Sequence, residues 1–149
     1  LDARVALAWA STAAGICETL SGCVANHSLE HPISGHYNVT HGAGLCATGP
    51  SLLEYIRPYI AERLAEVARV MGAPESVIGV EELSKMAVVL LRRLQKNVGL
   101  DISLGELGVE SSMLSILAED AMRTMGGLVS VTPGNLKTED LRNIYQMSM

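Results

Sequence analysis

The chain has 149 residues, enough for one domain with a substantial core, and its 48% hydrophobic against 18% charged residues excludes a disordered polypeptide. The net charge of −5, with no basic block, excludes a nucleic-acid partner, because neutralising phosphates needs clustered cations. No run of about 18 apolar residues is present to span a membrane, no signal peptide opens the chain, and with aromatics at 3% and no Phe the core must be aliphatic.

Such a composition favours helices packed on helices over a sandwich of sheets. Residues 2–22 read as a helix, with Val5, Ala8, Trp9, Ala13, Ile16, Cys17 and Leu20 near a helical period and Gly22 as its stop. Because the helix is already under way at Leu1, without an initiating Met, the chain reads as a fragment of a longer protein. A short second helix is expected over 24–31, closed by Pro32 and Gly35, with an irregular link from His36 to Thr40. A third starts at Thr40 or His41 and runs to about Thr48, and Pro50 either opens the next helix or kinks a continuous one. Residues 51–71 place Leu52, Leu53, Ile56, Ile60, Leu64, Val67, Ala68 and Met71 on one face, interrupted at Pro58 and closed by Gly72 and Pro74.

Residues 80–97 repeat the pattern with Leu83, Met86, Ala87, Leu90, Leu91 and Leu94, capped by Gly99. Asp101 to Gly108 is a turn pinned by Ile102, Leu104 and Leu107. Residues 110–125 form a helix ended by Gly126 and Gly127, and Thr138 is expected to N-cap the last helix, with Glu139 and Asp140 in its first turn. The expected fold class is all-α, a bundle of six to seven helices forming a single domain over residues 1–149, without a strand. Cys17, Cys23 and Cys46 form no C-x-x-C pair and read as small buried hydrophobes of a reducing compartment, so a cytoplasmic location is expected.

All four histidines fall between His27 and His41, in the run His27-Ser-Leu-Glu30-His31-Pro-Ile-Ser-Gly35-His36-Tyr37-Asn38-Val-Thr40-His41-Gly42. On a helix, His27 and His31 project from the same face one turn apart, which lets two imidazoles approach one ion. Spacing alone offers His27, His31 and His41 as a three-histidine site with an open position, for Zn²⁺ or Fe²⁺ polarising an oxygen. It leaves open that these are ordinary hydrogen-bonding histidines near a helix end.

The run from Asn26 to Leu45 resembles the signature of the iron-containing alcohol dehydrogenases: a His, a second His four residues on, then His-Gly ten residues later. Glu30-His31 and Thr40-His-Gly-Ala-Gly-Leu45 resemble its butanol dehydrogenase branch most. Ala3-Arg4 with Ala10 to Gly15, Leu100 to Gly108, Ala118 to Ala121 and Leu136 to Asp140 extend the resemblance over nearly the whole chain. It implies the helical C-terminal half of an NAD(P)-dependent enzyme acting on a small alcohol or aldehyde, a homo-oligomer (dimer) in its complete form. It also implies that His27 and His41 are metal ligands, for Fe²⁺ or Zn²⁺, completed by an Asp and a His from an N-terminal nucleotide-binding domain that these residues do not include. His31 would then line the cleft beside nicotinamide and substrate, as a catalytic and cofactor-contacting residue that relays the alcohol proton or orients the substrate. This corrects the spacing argument, which makes His31 a ligand.

No glycine-rich phosphate loop and no Asp-x-x-x-His pair occurs, so the chain alone is expected to bind dinucleotide poorly and to hold at most half a metal site. His36 and Tyr37 are expected to be bystanders, and Glu30 is expected to point outward or to stand behind an imidazole, orienting it through its second nitrogen, in preference to acting as a general base. Two other readings stand: a glycerol or polyol dehydrogenase relative, and a stand-alone helical binding module.

Overall fold

The computed structural model describes every residue except Glu75, Val77 and Ile78. Seven α-helices run in the order α1 (Asp2–Ser21), α2 (Ala25–Tyr37), α3 (His41–Ile56), α4 (Ala61–Val70), α5 (Val80–Asn97), α6 (Leu114–Ser130) and α7 (Thr138–Met147), with short 3₁₀ turns at Arg57–Tyr59 and Ser111–Met113. No strand occurs among the described residues, so the expected all-α class holds.

Helix α2 is the structural centre. It packs on α3 and α6, and with α7 these helices enclose an aliphatic core built around Leu29, Ile33, Leu52, Leu117, Leu141 and Ile144, each 2% exposed or less. Burying one such side chain contributes about 1.5–3 kcal/mol. A second, smaller cluster of Leu64, Ala65, Ala68, Leu83 and Ala87 joins α4 to α5. Helix α1 makes neither core: none of its residues is buried, and Val5, Leu7, Trp9 and Leu20 are 60–81% exposed.

Several boundaries differ from the sequence expectation for physical reasons. The second helix does not stop at Pro32 but runs through it to Tyr37. A proline removes one N–H and crowds the carbonyl four residues back; here that cost is set against the burial of Ile33 and of Pro32 itself. Asn38 in the left-handed conformation (φ 52, ψ 38) ends the helix, its N–H bonding the Ser34 carbonyl at 2.9 Å. Pro50 neither breaks nor restarts α3, which is continuous to Ile56, whereas Pro58 does break the chain into the 3₁₀ turn before α4.

Gly126 and Gly127 do not end α6. The helix bends at Met125 (φ −135, ψ 29) and continues to Ser130, and the Met125 carbonyl is met by the Ser28 hydroxyl of α2 at 3.0 Å. The last helix is capped from Lys137, not Thr138: the Asp140 carboxylate accepts the Lys137 N–H at 2.6 Å, so the acidic first turn supplies the cap by reaching back. The cysteines are not buried either; Cys17 is exposed, Cys23 and Cys46 are half-buried, and all three are free. Cys17 fails the expectation because it sits on α1, whose apolar residues have nothing to pack against.

Candidate metal centre

The histidine stretch runs from His27, in the first turn of α2, through the rest of that helix and the Asn38–Thr40 link to the first turn of α3. Two contacts fix these helices against each other. The Thr48 hydroxyl of α3 donates to Asn26 Oδ1 of α2 at 2.9 Å, and Asn26 Nδ2 donates to the Leu45 carbonyl at 3.3 Å. Tyr145 of α7 donates to the Leu29 carbonyl at 2.6 Å, which anchors α2 one residue before Glu30. Burial pushes the Tyr145 hydroxyl well above its ordinary value, with the Glu30 and Asp120 charges adding to it, so it stays a neutral donor. At the start of α2 no residue of the preceding loop caps the helix, and the Ala25 N–H is taken instead by Thr132 Oγ1 at 2.9 Å.

This scaffold brings three of the four histidines together. The ring centroids of His27 and His41 are 5.3 Å apart, those of His31 and His41 5.6 Å, and those of His27 and His31 6.4 Å. His31 and His41 are exposed and His27 is half-buried, so the rings form a patch open to approach from outside the fold. His36 points elsewhere. It pairs with Asp120 of α6 at 2.8 Å, and Arg123 meets the same carboxylate at 2.6 Å. His36, then Arg123, hold Asp120 below the ordinary carboxylate value. Tyr37 packs beside the main core and receives the Glu110 N–H at 3.4 Å.

Glu30 is the surprise in the stretch: it points inward, completely buried, and its carboxylate bonds His41 Nδ1 on one oxygen and the Ser34 hydroxyl on the other. A donor group within 4.8 Å of its neighbours is thus formed by Glu30, His31 and His41. A second such group is Glu18, Cys23 and His27, with Cys23 Sγ 3.2 Å from Glu18 and 3.8 Å from His27 Nε2. Burial, and then the Glu18 carboxylate, push the Cys23 thiol up, which disfavours the thiolate a metal takes. The i, i+4 spacing foretold the His27–His31 pair, and Glu30–Ser34 repeats that spacing. The Glu30–His41 contact spans a proline-bearing turn and a left-handed Asn, and no sequence period encodes it.

His31 and His36 border an open groove of about 610 Å³ whose far wall is Asp120, Arg123, Thr124 and Met125 of α6. A smaller, mainly apolar recess of about 280 Å³ lies on the other side of α3, between Val24, Leu45, Leu53 and Leu91. The donor chemistry of the patch fits a divalent ion. Imidazole nitrogens from two abutting helices converge, and one ring already has its second nitrogen engaged by a carboxylate, the arrangement common behind zinc and iron ligands.

Residues 1–149 match the family described as "Fe-containing alcohol dehydrogenase family, C-terminal", and the chain belongs to that family. It is 30% identical over 145 residues to long-chain-alcohol dehydrogenase 1 of Geobacillus thermodenitrificans, covering 97% of this chain and 36% of that protein. It is likewise 30% identical over 157 residues to NADH-dependent butanol dehydrogenase A of Clostridium acetobutylicum, covering 99% of this chain and 39% of the relative. The crystal structure of an archaeal halo-thermophilic alcohol dehydrogenase from a Red Sea brine pool, bound to NZQ, superposes with a TM-score of 0.84 at 30% identity over 91% of this chain and 35% of that one. The chain therefore spans little more than a third of the relatives it matches.

Proposed function

We propose that this chain is the metal- and substrate-binding part of an NAD(P)-dependent alcohol dehydrogenase, with His27 and His41 as its two metal ligands and His31 as its catalytic residue. The observation that carries the reading is the convergence of three rings, His27 and His31 from the first two turns of α2 and His41 from the start of α3, within 5.3–6.4 Å of one another. A divalent ion, Fe²⁺ or Zn²⁺, would supply a Lewis acid that polarises the alcohol or aldehyde oxygen, and NAD(P) would supply the hydride acceptor or donor. The two relatives that carry 30% identity are named for long-chain alcohols and for butanol, which supports a primary alcohol or its aldehyde as substrate.

This chain's residues do the remaining work. The anchored α2–α3 corner holds His27 and His41 at fixed separation. His31, exposed at the lip of the 610 Å³ groove, is placed to accept the alcohol proton and pass it to water, as general base. The groove gives the reacting end of the substrate a bed between α2 and α6. The two further ligands and the dinucleotide site belong to an N-terminal domain, which would cover the bare apolar side of α1. The polyol dehydrogenase alternative shares this architecture and differs only in substrate; no contact in the groove favours it.

In the complete protein that would carry this chain, alcohol-dependent reduction of NAD(P)⁺ tests the reading. His31→Ala should retain the metal and lower kcat by about 10²–10⁴, the usual worth of a positioned acid–base group. Arg63→Ala, on the exposed side of α4, should leave turnover within about twofold. Unchanged turnover in His31→Ala at every pH would remove His31 from the chemistry.

A further inference from the structure

Glu30 is fully buried, yet among the described residues its carboxylate meets only two side-chain partners, Ser34 Oγ and His41 Nδ1. A buried carboxylate is costly unless its hydrogen bonds are made. The fold clears a place for this one. At Gly44, a Cβ would lie 2.8 Å from both Glu30 Cγ and Oε1, so no other residue type fits there while Glu30 keeps its place. Gly44 is itself buried, one turn into α3 from His41. Ser34 Oγ also stands 3.0 Å from the Val39 carbonyl, on the link between the two helices, but its single hydrogen serves only one of these two acceptors at a time.

From this geometry we infer that Glu30 is a positioning residue for the metal centre: it holds the His41 ring by Nδ1–H, fixing the tautomer in which Nε2 is unprotonated and turned away from the core, and Gly44 exists to admit it. The inference rests on the reading of His41 as a ligand, because only then does the Nε2 lone pair have a use. Its physical content is independent of any metal. A carboxylate can only accept from a neutral imidazole's N–H, so a neutral ring bonded through Nδ1 must carry its proton there. Without that acceptor, no other hydrogen bond among the described residues selects the proton position of a ring that is half exposed.

The pair Glu30–Gly44 separates positioning from packing. Glu30→Ala leaves a void, and Gly44→Ala by itself collides with the carboxylate. The double variant Glu30→Ala/Gly44→Ala places a methyl in the vacated volume and should fold close to wild type while leaving His41 unheld. Glu30→Gln should be the conservative rescue. Its amide oxygen can accept the His41 Nδ1–H, its amide nitrogen can donate to Ser34 Oγ, and the Ser34 hydroxyl can then donate to Val39.

The experiment is long-range ¹H–¹⁵N correlation NMR of the histidine rings in the metal-free complete protein above neutral pH, with His41 assigned by His41→Gln. Wild type and Glu30→Gln should show His41 as the Nδ1–H tautomer. Glu30→Ala/Gly44→Ala, verified as folded by circular dichroism, should show a majority of Nε2–H. A wild-type His41 already in the Nε2–H form overturns the inference without any variant. So does a folded double variant that keeps Nδ1–H. In the metal-loaded complete protein, the double variant should also lose about 10–100-fold in metal affinity by chelator competition, the usual effect of removing a ligand's supporting carboxylate. If the tautomer changes as expected but affinity does not, the positioning stands and the assignment of His41 as a ligand falls.

Discussion

At the end of α2, His36 and Arg123 both bond Asp120, and this small network ties the histidine stretch to α6 along the groove. Because His36, and then Arg123, depress the Asp120 carboxyl below 3.8, the folded chain binds its proton at lower pH than the unfolded chain. The stability this gives is complete above 3.8 and is lost as pH falls through the folded value. Urea unfolding of wild type and Asp120→Asn should therefore differ near neutral pH and converge in strong acid; curves that stay parallel throughout would remove Asp120 from the acid response. The network also explains why His36, conspicuous in the sequence as a fourth histidine, stands apart from the other three. The clustering of histidines was legible from the residues, and the separation of roles came from the family resemblance. The inward turn of Glu30 was half legible, since an outward carboxylate and one behind an imidazole were equally open to a sequence reading.

Helix boundaries were legible where the punctuation was local and failed where tertiary contacts overrode it. Residues 80–97 were read correctly because a single amphipathic period ran uninterrupted between loops. Pro32 and the Gly126–Gly127 pair were read as breaks and Pro50 as a break or a kink, yet α2, α3 and α6 all continue through them, since each is held on both sides of the weak point by buried contacts. For α2 that hold includes Tyr145, which reaches from α7 to the Leu29 carbonyl. Tyr145→Phe removes one buried hydrogen bond and little volume, so it should cost about 1 kcal/mol. For a chain of this size that is a drop of about 2–4 °C in Tm. A variant as stable as wild type in urea and in heat would mean that the bond does not lock α7 to α2.

Across the whole molecule, α1 does not fit a self-sufficient bundle. Its sequence pattern called for a packed face, but Trp9 is 67% exposed and no α1 side chain is buried. A helix of this kind draws most of its stability from packing, which is missing along its length. The same residues that match the family end-to-end cover only 36–39% of the two 30%-identical relatives. Both facts fit the proposal that this unit presents one half of a site to another domain, with the open ring patch, the bare helix and the groove as its surfaces for that. No helix among the described residues is long and apolar enough to cross a membrane. Above these observations stands the proposal that His27 and His41 hold a divalent metal. It is tested most directly by the metal content, by atomic emission, of the complete protein purified anaerobically with Fe²⁺ or Zn²⁺. Wild type and His36→Ala should retain about one ion per chain, and His27→Ala and His41→Ala should each retain almost none. Full occupancy in either of the last two variants would contradict it.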